Sequence, residues 1–336
     1  MGEDDPNRAE EGGNMIPITE VVKGIFKIGP LETGRVTPNV APYVVVGEEK
    51  AAIVEMGEDG QTAELLKAIT LTGEEGLGMD LNKFAYIMAS HVHLHHVSGI
   101  NLLLKAMPNA KAVIHHFGVP HLVEPTRLNA GTLQVWGQDS GCPQISPVPE
   151  DRIISARGGE VIDLGGGREL ELIETLGHCP HHMSIFDRLT KTLFPGDAAG
   201  AFFAGPGHYR TRPDILPPLY DAKLSVESVR RLRALKPELL LVFGHNAMSR
   251  TPDDTLRWAE EDILAIERIC REGMEQKKSN LQIGTEVREY YDSVGIALQE
   301  DERNGTMAGG GMGGGGGPIA MYTYLKRENP SLEIPQ

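Results

Sequence analysis

Cysteine is scarce. The chain has three in 336 residues, Cys142, Cys179 and Cys270, an odd number at wide spacing. That excludes a disulfide framework and a CxxC metal knuckle, and free thiols fit a reducing compartment, with the cytoplasm as the default. Positive charge is also in deficit. Lys and Arg number 32 against 47 Asp and Glu, a formal net charge of −15, and no basic stripe exists of the kind that phosphate backbones require. Nucleic acid is therefore excluded as the main partner. No apolar run approaches the length of a bilayer span, so no membrane partner is expected. The opening MGEDDPNRAEEGGNM lacks the apolar stretch of a signal peptide. No GxSxG elbow supports a serine nucleophile, and the glycine run GGGMGGGGG at 309–317 lacks the GxxxxGK[ST] spacing of a phosphate loop.

What is present is an ordinary globular composition, 40% hydrophobic and 24% charged, sufficient for one large domain or a large domain with an appendage. Residues 1–14 read as a disordered acidic tail. Short β-rich runs follow at 21–28, 43–46 and 51–55, the last two pairing as a hairpin. A helix over 60–72, a buried strand at 84–89 and a helix from about His96 carrying Ile100, Leu103 and Leu104 on one face come next. A strand at 112–115, a short helix at 119–123 and alternating strands over 161–194 continue the pattern. Residues 200–222 read as an ordered insertion without regular structure. A helix at 226–235 leads into the most apolar strand, 239–243. After 250 only helices are expected, over 253–278 and 285–298. The domains are accordingly a body over 15–250 and a helical C-terminal extension over 251–336, with the glycine run as a flexible loop. That extension is suited either to cover a pocket or to make a homodimer contact.

The densest chemical signal is SHVHLHHVSG at 90–99, with His91, His93, His95 and His96 between an apolar strand and a helix. Histidines two apart at a strand end point to the same side, and a histidine at the following helix start can converge on them. Neutral imidazole suits zinc and similar borderline metals, whereas four clustered imidazoles without a cation repel one another when protonated. A solvated, histidine-rich loop is the bland alternative. Three further segments reduce its weight: His178 in ETLGHCPHH, Asp197 in LFPGDA and His245 in LLLVFGHNA. Each stands where a strand gives way to a loop, so that a rigid sheet holds the side chain and the loop admits substrate.

In this order SHVHLHH, GHCPHH, FPGDAAG and FGHN resemble the metal-binding motifs of the metallo-β-lactamase superfamily, most nearly its glyoxalase-II-like hydrolases, over about residues 21–246. The resemblance implies an α/β fold, a four-layer αββα sandwich with a two-metal site at one edge. It implies His91, His93 and His178 on one divalent cation, His96 and His245 on a second, and Asp197 bridging. The family usually reads HxHxDH, and here His95 stands where the aspartate would. Three outcomes follow: His95 ligates in its place, the second metal binds weakly, or the site is mononuclear, with ligation preferred. Glu55, in AAIVEMG where the family carries aspartate, is either the acceptor that fixes a ligand histidine's tautomer or a capping or surface residue. His115, His116 and His121 read as packing near the pocket, His181 and His182 as turn-stabilising, and His208 and Tyr209 as candidate pocket residues.

The implied activity is metal-dependent hydrolysis of a small-molecule ester, thioester or lactone. The ions would be zinc foremost, with iron or manganese also suited to histidine and carboxylate donors. Asp197 holds the metals and accepts the proton, and His95 shares the catalytic position. A mononuclear-iron oxidoreductase of dioxygenase type and a non-catalytic metal-binding protein are the competing readings.

Overall fold

Strand alternation decides the layering of this molecule, seen in a computed structural model that describes residues 16–29, 31, 40–136, 143–202, 209–216, 218–242, 248–296 and 316–336. In strands β3 (Tyr43–Val46) and β4 (Ala51–Val54), Tyr43, Val45, Ala52 and Val54 face one hydrophobic cluster while Val44, Ala51 and Ile53 face another. A strand reverses its side chains at every residue, so a strand apolar on both faces must lie between two apolar layers. β4 is buried along its whole length.

The first sheet has seven strands in the order of the chain: β1 (Ile18–Val22), β2 (Ile25–Ile28), β3, β4, β5 (Phe84–Met88), β6 (Lys111–His115) and β7 (Ile153–Ala156). Neighbours are antiparallel from β1 to β4 and parallel from β4 to β7. The β-rich run expected over 21–28 is divided by a turn at Lys23–Gly24, where Gly24 adopts φ +72°, a conformation glycine takes without the penalty of a side chain. The second sheet runs β13-β12-β11-β10-β9-β8, built from β8 (Val161–Asp163), β9 (Glu169–Glu174), β10 (Met183–Asp187), β11 (Thr192–Phe194), β12 (Leu239–Leu241) and β13 (Met248–Ser249).

The two sheets pack face to face. Val45, Val54, Met88 and Val113 of the first meet Leu170, Leu172, Ile185 and Leu241 of the second in one buried cluster, and the Tyr43 ring meets Phe194 edge-on at 5.3 Å. Outside the first sheet lie α1 (Thr62–Thr70), α2 (Leu94–Val97), α3 (Ile100–Ala106), α4 (Val119–Val123) and α5 (Thr126–Trp136). Outside the second lie α6 (Ala222–Ala234), α7 (Pro252–Glu275), α8 (Asn280–Val294) and α9 (Gly316–Glu328). Val229, Ile266, Cys270, Val287, Tyr322 and Leu325 from these last four helices share one core with Leu193 and Leu240 of the sheet. The architecture is thus the αββα sandwich, with a C-terminal helical part on its second face.

The helix expected from His96 divides at Gly99, whose added Cβ would meet Thr62 Oγ1 at 2.7 Å. α5 and α9 were not read from the sequence. Residues 1–14 and 309–315 of the glycine run lie outside the described residues. Among those described, no helix is long and apolar enough to cross a membrane.

Candidate metal centre

Five strand ends meet at one edge of the sandwich. β4 and β5 are parallel, so Glu55, directly after β4, and Ser90–His91, directly after β5, emerge together; the Glu55 N–H donates to Met88 O at 2.9 Å. In the second sheet β9 ends at Glu174 opposite Met183 at the start of β10, and β11 ends at Phe194 opposite Ile185. The segment 175–182, carrying His178, and the turn 195–197, carrying Asp197, therefore emerge at the same edge. A hydrogen bond from Met183 N–H to Ser90 O at 2.8 Å ties the loops of the two sheets together.

The convergence is tight. His91 Nε2 lies 2.8 Å from His93 Nδ1, and His178 Nε2 lies 3.2 Å from the same atom. Asp197 Oδ2 is 3.7 Å from His91 Nε2 and 3.5 Å from His178 Nε2. Four donors at the ~2.0–2.2 Å bonds of tetrahedral zinc stand about 3.3–3.6 Å apart, a value these separations bracket. Asp197 Oδ1, on the other side of the carboxylate, lies 3.3 Å from His96 Nε2. His91, His93, His178 and Asp197 form one group of potential ligands within 4.8 Å of one another, and His91, His95, His96 and Asp197 form a second. The imidazole of His95 thus belongs to the second group. Both Asp197 oxygens are buried, with imidazole nitrogens facing them at 3.3–3.7 Å. A buried carboxylate faced by imidazole nitrogens is a poor arrangement alone and a good one around cations.

The outer ring nitrogens are occupied, which leaves the inner ones facing the centre. His91 Nδ1 pairs with Ser90 Oγ at 3.0 Å, His96 Nδ1 with Glu55 Oε2 at 2.8 Å and His178 Nδ1 with the Asp214 carbonyl at 2.9 Å. The Glu55 carboxylate and the Asp214 carbonyl can only accept, so His96 and His178 carry their proton on Nδ1 and keep Nε2 as the nitrogen that could ligate inward. Glu55 is buried, and its second oxygen accepts from Ser90 N–H at 3.1 Å. It achieves this with φ +56°, a conformation that costs a residue with a side chain on the order of 1–3 kcal/mol.

Electrostatics separates the histidines. Burial first, and then the neighbouring imidazoles, hold His91, His93 and His95 neutral, well below the usual histidine range. Burial acts the same way on His96, but Glu55 and Asp197 outweigh it and raise the group to about 10. Burial would raise Asp197, and His96 and His178 overcome it to hold the carboxyl well below its usual range. Burial, with the nearby Asp197 charge, pushes Asp214 up to about 7 against the opposing pull of His178.

The remaining histidines take other roles. His182 is buried, its Nε2 accepting from Asp197 N–H at 3.1 Å and its Nδ1 lying 2.8 Å from Thr175 Oγ1. His181 stacks at 6.3 Å over His91 and lies 3.2 Å from Cys179 Sγ. His115 pairs with Glu174 at 3.2 Å, His116 packs on Phe117, and His121 meets His181 edge-on at 5.5 Å. Tyr209 is exposed, its ring against Trp258 at 5.4 Å. His245, His208 and Cys142 lie outside the described residues. Asp214, Thr175 and Ser90 escaped sequence reasoning. Asp214 meets His178 Nδ1 with its carbonyl at 2.9 Å and its carboxylate at 3.7 Å, from a segment without regular structure, so no periodicity or spacing singles it out.

A model of the metallo-beta-lactamase superfamily matches residues 37–245. The metallo-beta-lactamase fold-containing protein ST1585 of Sulfurisphaera tokodaii is 30% identical over 236 residues, covering 67% of this chain and 79% of that protein. Its crystal structure superimposes with a TM-score of 0.56 at 26% identity, covering 72% of this chain and 86% of that one. A metallo-beta-lactamase family protein of Thermus thermophilus, TTHA1429, is similar over 91% of this chain and 94% of its own, with a TM-score of 0.61 at 16% identity. A chemotaxis sensor, ODP, described as a peroxy diiron species, shares the fold over 73% of this chain and 93% of its own, with a TM-score of 0.52 at 17% identity.

Proposed function

From the premise that this chain belongs to the metallo-beta-lactamase superfamily, we propose that it is a metal-dependent hydrolase of a small ester, thioester or lactone, of the glyoxalase-II-like kind. The observation that carries this reading is the sharing of His91 and Asp197 between two groups of potential ligands. His91, His93 and His178 would hold one divalent cation and His95, His96 and His245 the other, with Asp197 between them. Zinc is the first choice. Bound there, divalent ions supply Lewis acidity and lower the pKa of water toward neutrality.

The chain's own residues account for the rest. Glu55, Ser90 and the Asp214 carbonyl orient the imidazoles, so that little reorganisation accompanies ligation. Asp197, held ionised among histidines, would keep a negative charge between the two cations, the role of a ligand more than of a proton acceptor. His93 and His95 are the partly buried members of the two groups, and a small-molecule substrate would approach from their side. The buried free thiols Cys179 and Cys270 suit a reducing compartment such as the cytoplasm.

The test is elemental analysis of purified protein, followed by assay of the metal-loaded protein against ester, thioester and lactone panels. About two zinc ions per chain with turnover of one class supports the reading. Full loading without hydrolysis of any class overturns it. Imidazole at position 95 favours a second reading, a single-iron oxidoreductase, because it leaves the second group one negative charge short of the usual carboxylate. One iron per chain with oxygen uptake would replace the first reading by the second.

A further inference from the structure

Asp197 is held by a closed circuit of hydrogen bonds in which every proton can be located. Ser184 Oγ donates to Pro195 O at 2.9 Å, since a carbonyl can only accept. Ser184 has then spent its one hydrogen, so in its 3.0 Å contact with Thr175 Oγ1 the threonine must donate. Thr175 has likewise spent its hydrogen, so in its 2.8 Å contact with His182 the proton belongs to Nδ1. From the other end, Asp197 N–H can only donate, so His182 Nε2, 3.1 Å away, must carry a lone pair. Both ends demand the same imidazole: neutral, protonated on Nδ1.

The circuit begins and ends on the turn 195–197. Gly196 between them adopts φ +54°, and a Cβ there would lie 2.7 Å from His182 Nε2 and 2.5 Å from Ser90 Cβ. The turn therefore rests directly on the His182 ring and on the residue that pairs with His91. Thr175 N–H also donates to His182 O at 3.1 Å, closing the segment that carries His178. All the side chains of the circuit are buried, so water does not compete for their hydrogen bonds.

We propose that His182 is a positioning residue for Asp197: locked by Thr175 and Ser184 as the Nδ1–H tautomer, with both ring nitrogens engaged, it is barred from ligating a metal and sets the place of the shared carboxylate. This explains why a histidine whose ring lies only 5.1 Å from that of His91 stands outside both ligand groups. The consequence for metal binding rests on the reading of Asp197 as the shared ligand; the tautomer does not.

Two measurements test it. Full-length protein labelled with 15N-histidine is examined by long-range 1H–15N spectroscopy at pH 7.5, metal-free and zinc-loaded, with His182→Gln identifying the signals of residue 182. The expected result is a protonated Nδ1 in both states; a protonated Nε2, or a nitrogen shift on zinc loading of the size seen for a ligand, overturns the proposal. Zinc affinity is then compared for Thr175→Val, which fills the space but breaks the circuit, and Thr175→Ser, which restores the hydroxyl. The valine variant should bind about 10–100-fold more weakly at an unfolding midpoint that keeps it folded, and serine should recover most of the loss. Wild-type affinity in the valine variant, or no recovery with serine, overturns the positioning role. Should wild-type protein take up no zinc at all, the metal-centre reading fails, and the spectra alone decide the tautomer.

Discussion

His96 Nδ1 meets Glu55 Oε2 at 2.8 Å, and this contact turns Nε2 toward Asp197 Oδ1, 3.3 Å away. Glu55 lies 41 residues earlier in the chain, yet the parallel pairing of β4 with β5 brings both to one strand end. Replacing Glu55 with Gln keeps the shape and removes the charge. We expect metal affinity of the second group to fall about 10–100-fold while the first group is little affected. A stepwise zinc titration followed by elemental analysis reads this directly, and an unchanged second step would refute it.

The same pair sets a pH dependence. In the metal-free protein His96 titrates near 10 rather than at the usual 6.5, so its proton stabilises the fold fully below 6.5, and that contribution is lost as the pH rises through 10. A metal must displace this proton. His91, His93 and His95, all held neutral, need release none. Calorimetry in buffers of different ionisation enthalpy at pH 7.5 should show proton release in one binding step and little in the other. The releasing step should tighten with rising pH, and two steps of equal proton release would contradict the assignment.

His178→Ala removes the one imidazole that the second sheet contributes to the first group. Most bound metal and nearly all turnover should go with it. Metal content equal to wild type would show that the ligand assignment is wrong.

His95→Asp returns a carboxylate to the second group. We expect tighter binding of the second metal and retained or higher hydrolysis, read by metal titration and by the panel that first detects activity. Loss of both would mean that imidazole is specifically required at this position.

Tyr322 of α9 is fully buried and its hydroxyl donates to Asn280 Oδ1 at 3.0 Å. Tyr322→Ala should destabilise the protein by about 3–5 kcal/mol, as large-to-small changes of buried aromatics do. If the C-terminal helices and the second sheet unfold together, chemical denaturation will remain a single transition with a lower midpoint. A separate early transition would show that the helices melt by themselves.

The sequence exposed those features that depend on local pattern. The four histidines of 90–99 stand within six residues, and His178 and Asp197 each follow an apolar strand, so they could be placed at strand ends, while their meeting at one edge was implied by the family resemblance. The sandwich itself was implied by the family resemblance of those motifs, and the structure supplies its physical reason, since Val44 and Val45 face apolar layers on opposite sides. What stayed hidden depends on contacts between distant segments. α5 carries Asn129, Gly131 and Thr132 in place of a clear apolar stripe, and α9 follows the glycine run, so neither announced itself as a helix. The Asp214 carbonyl and the Thr175 hydroxyl are generic groups that gain their roles only when β9, β10 and the 195–197 turn are assembled. The division of the 21–28 run at Gly24 was equally invisible, because a glycine within an apolar stretch is compatible with a bulge as well as with a turn.

The left-handed backbone of Glu55 bears on how this protein would respond to laboratory evolution. A library sorted only for survival of heating, blind to bound metal, should enrich glycine or asparagine at position 55, where either relaxes the chain. A library sorted for turnover should hold glutamate there and accumulate its gains in heat resistance elsewhere. The two lineages would part at that one codon.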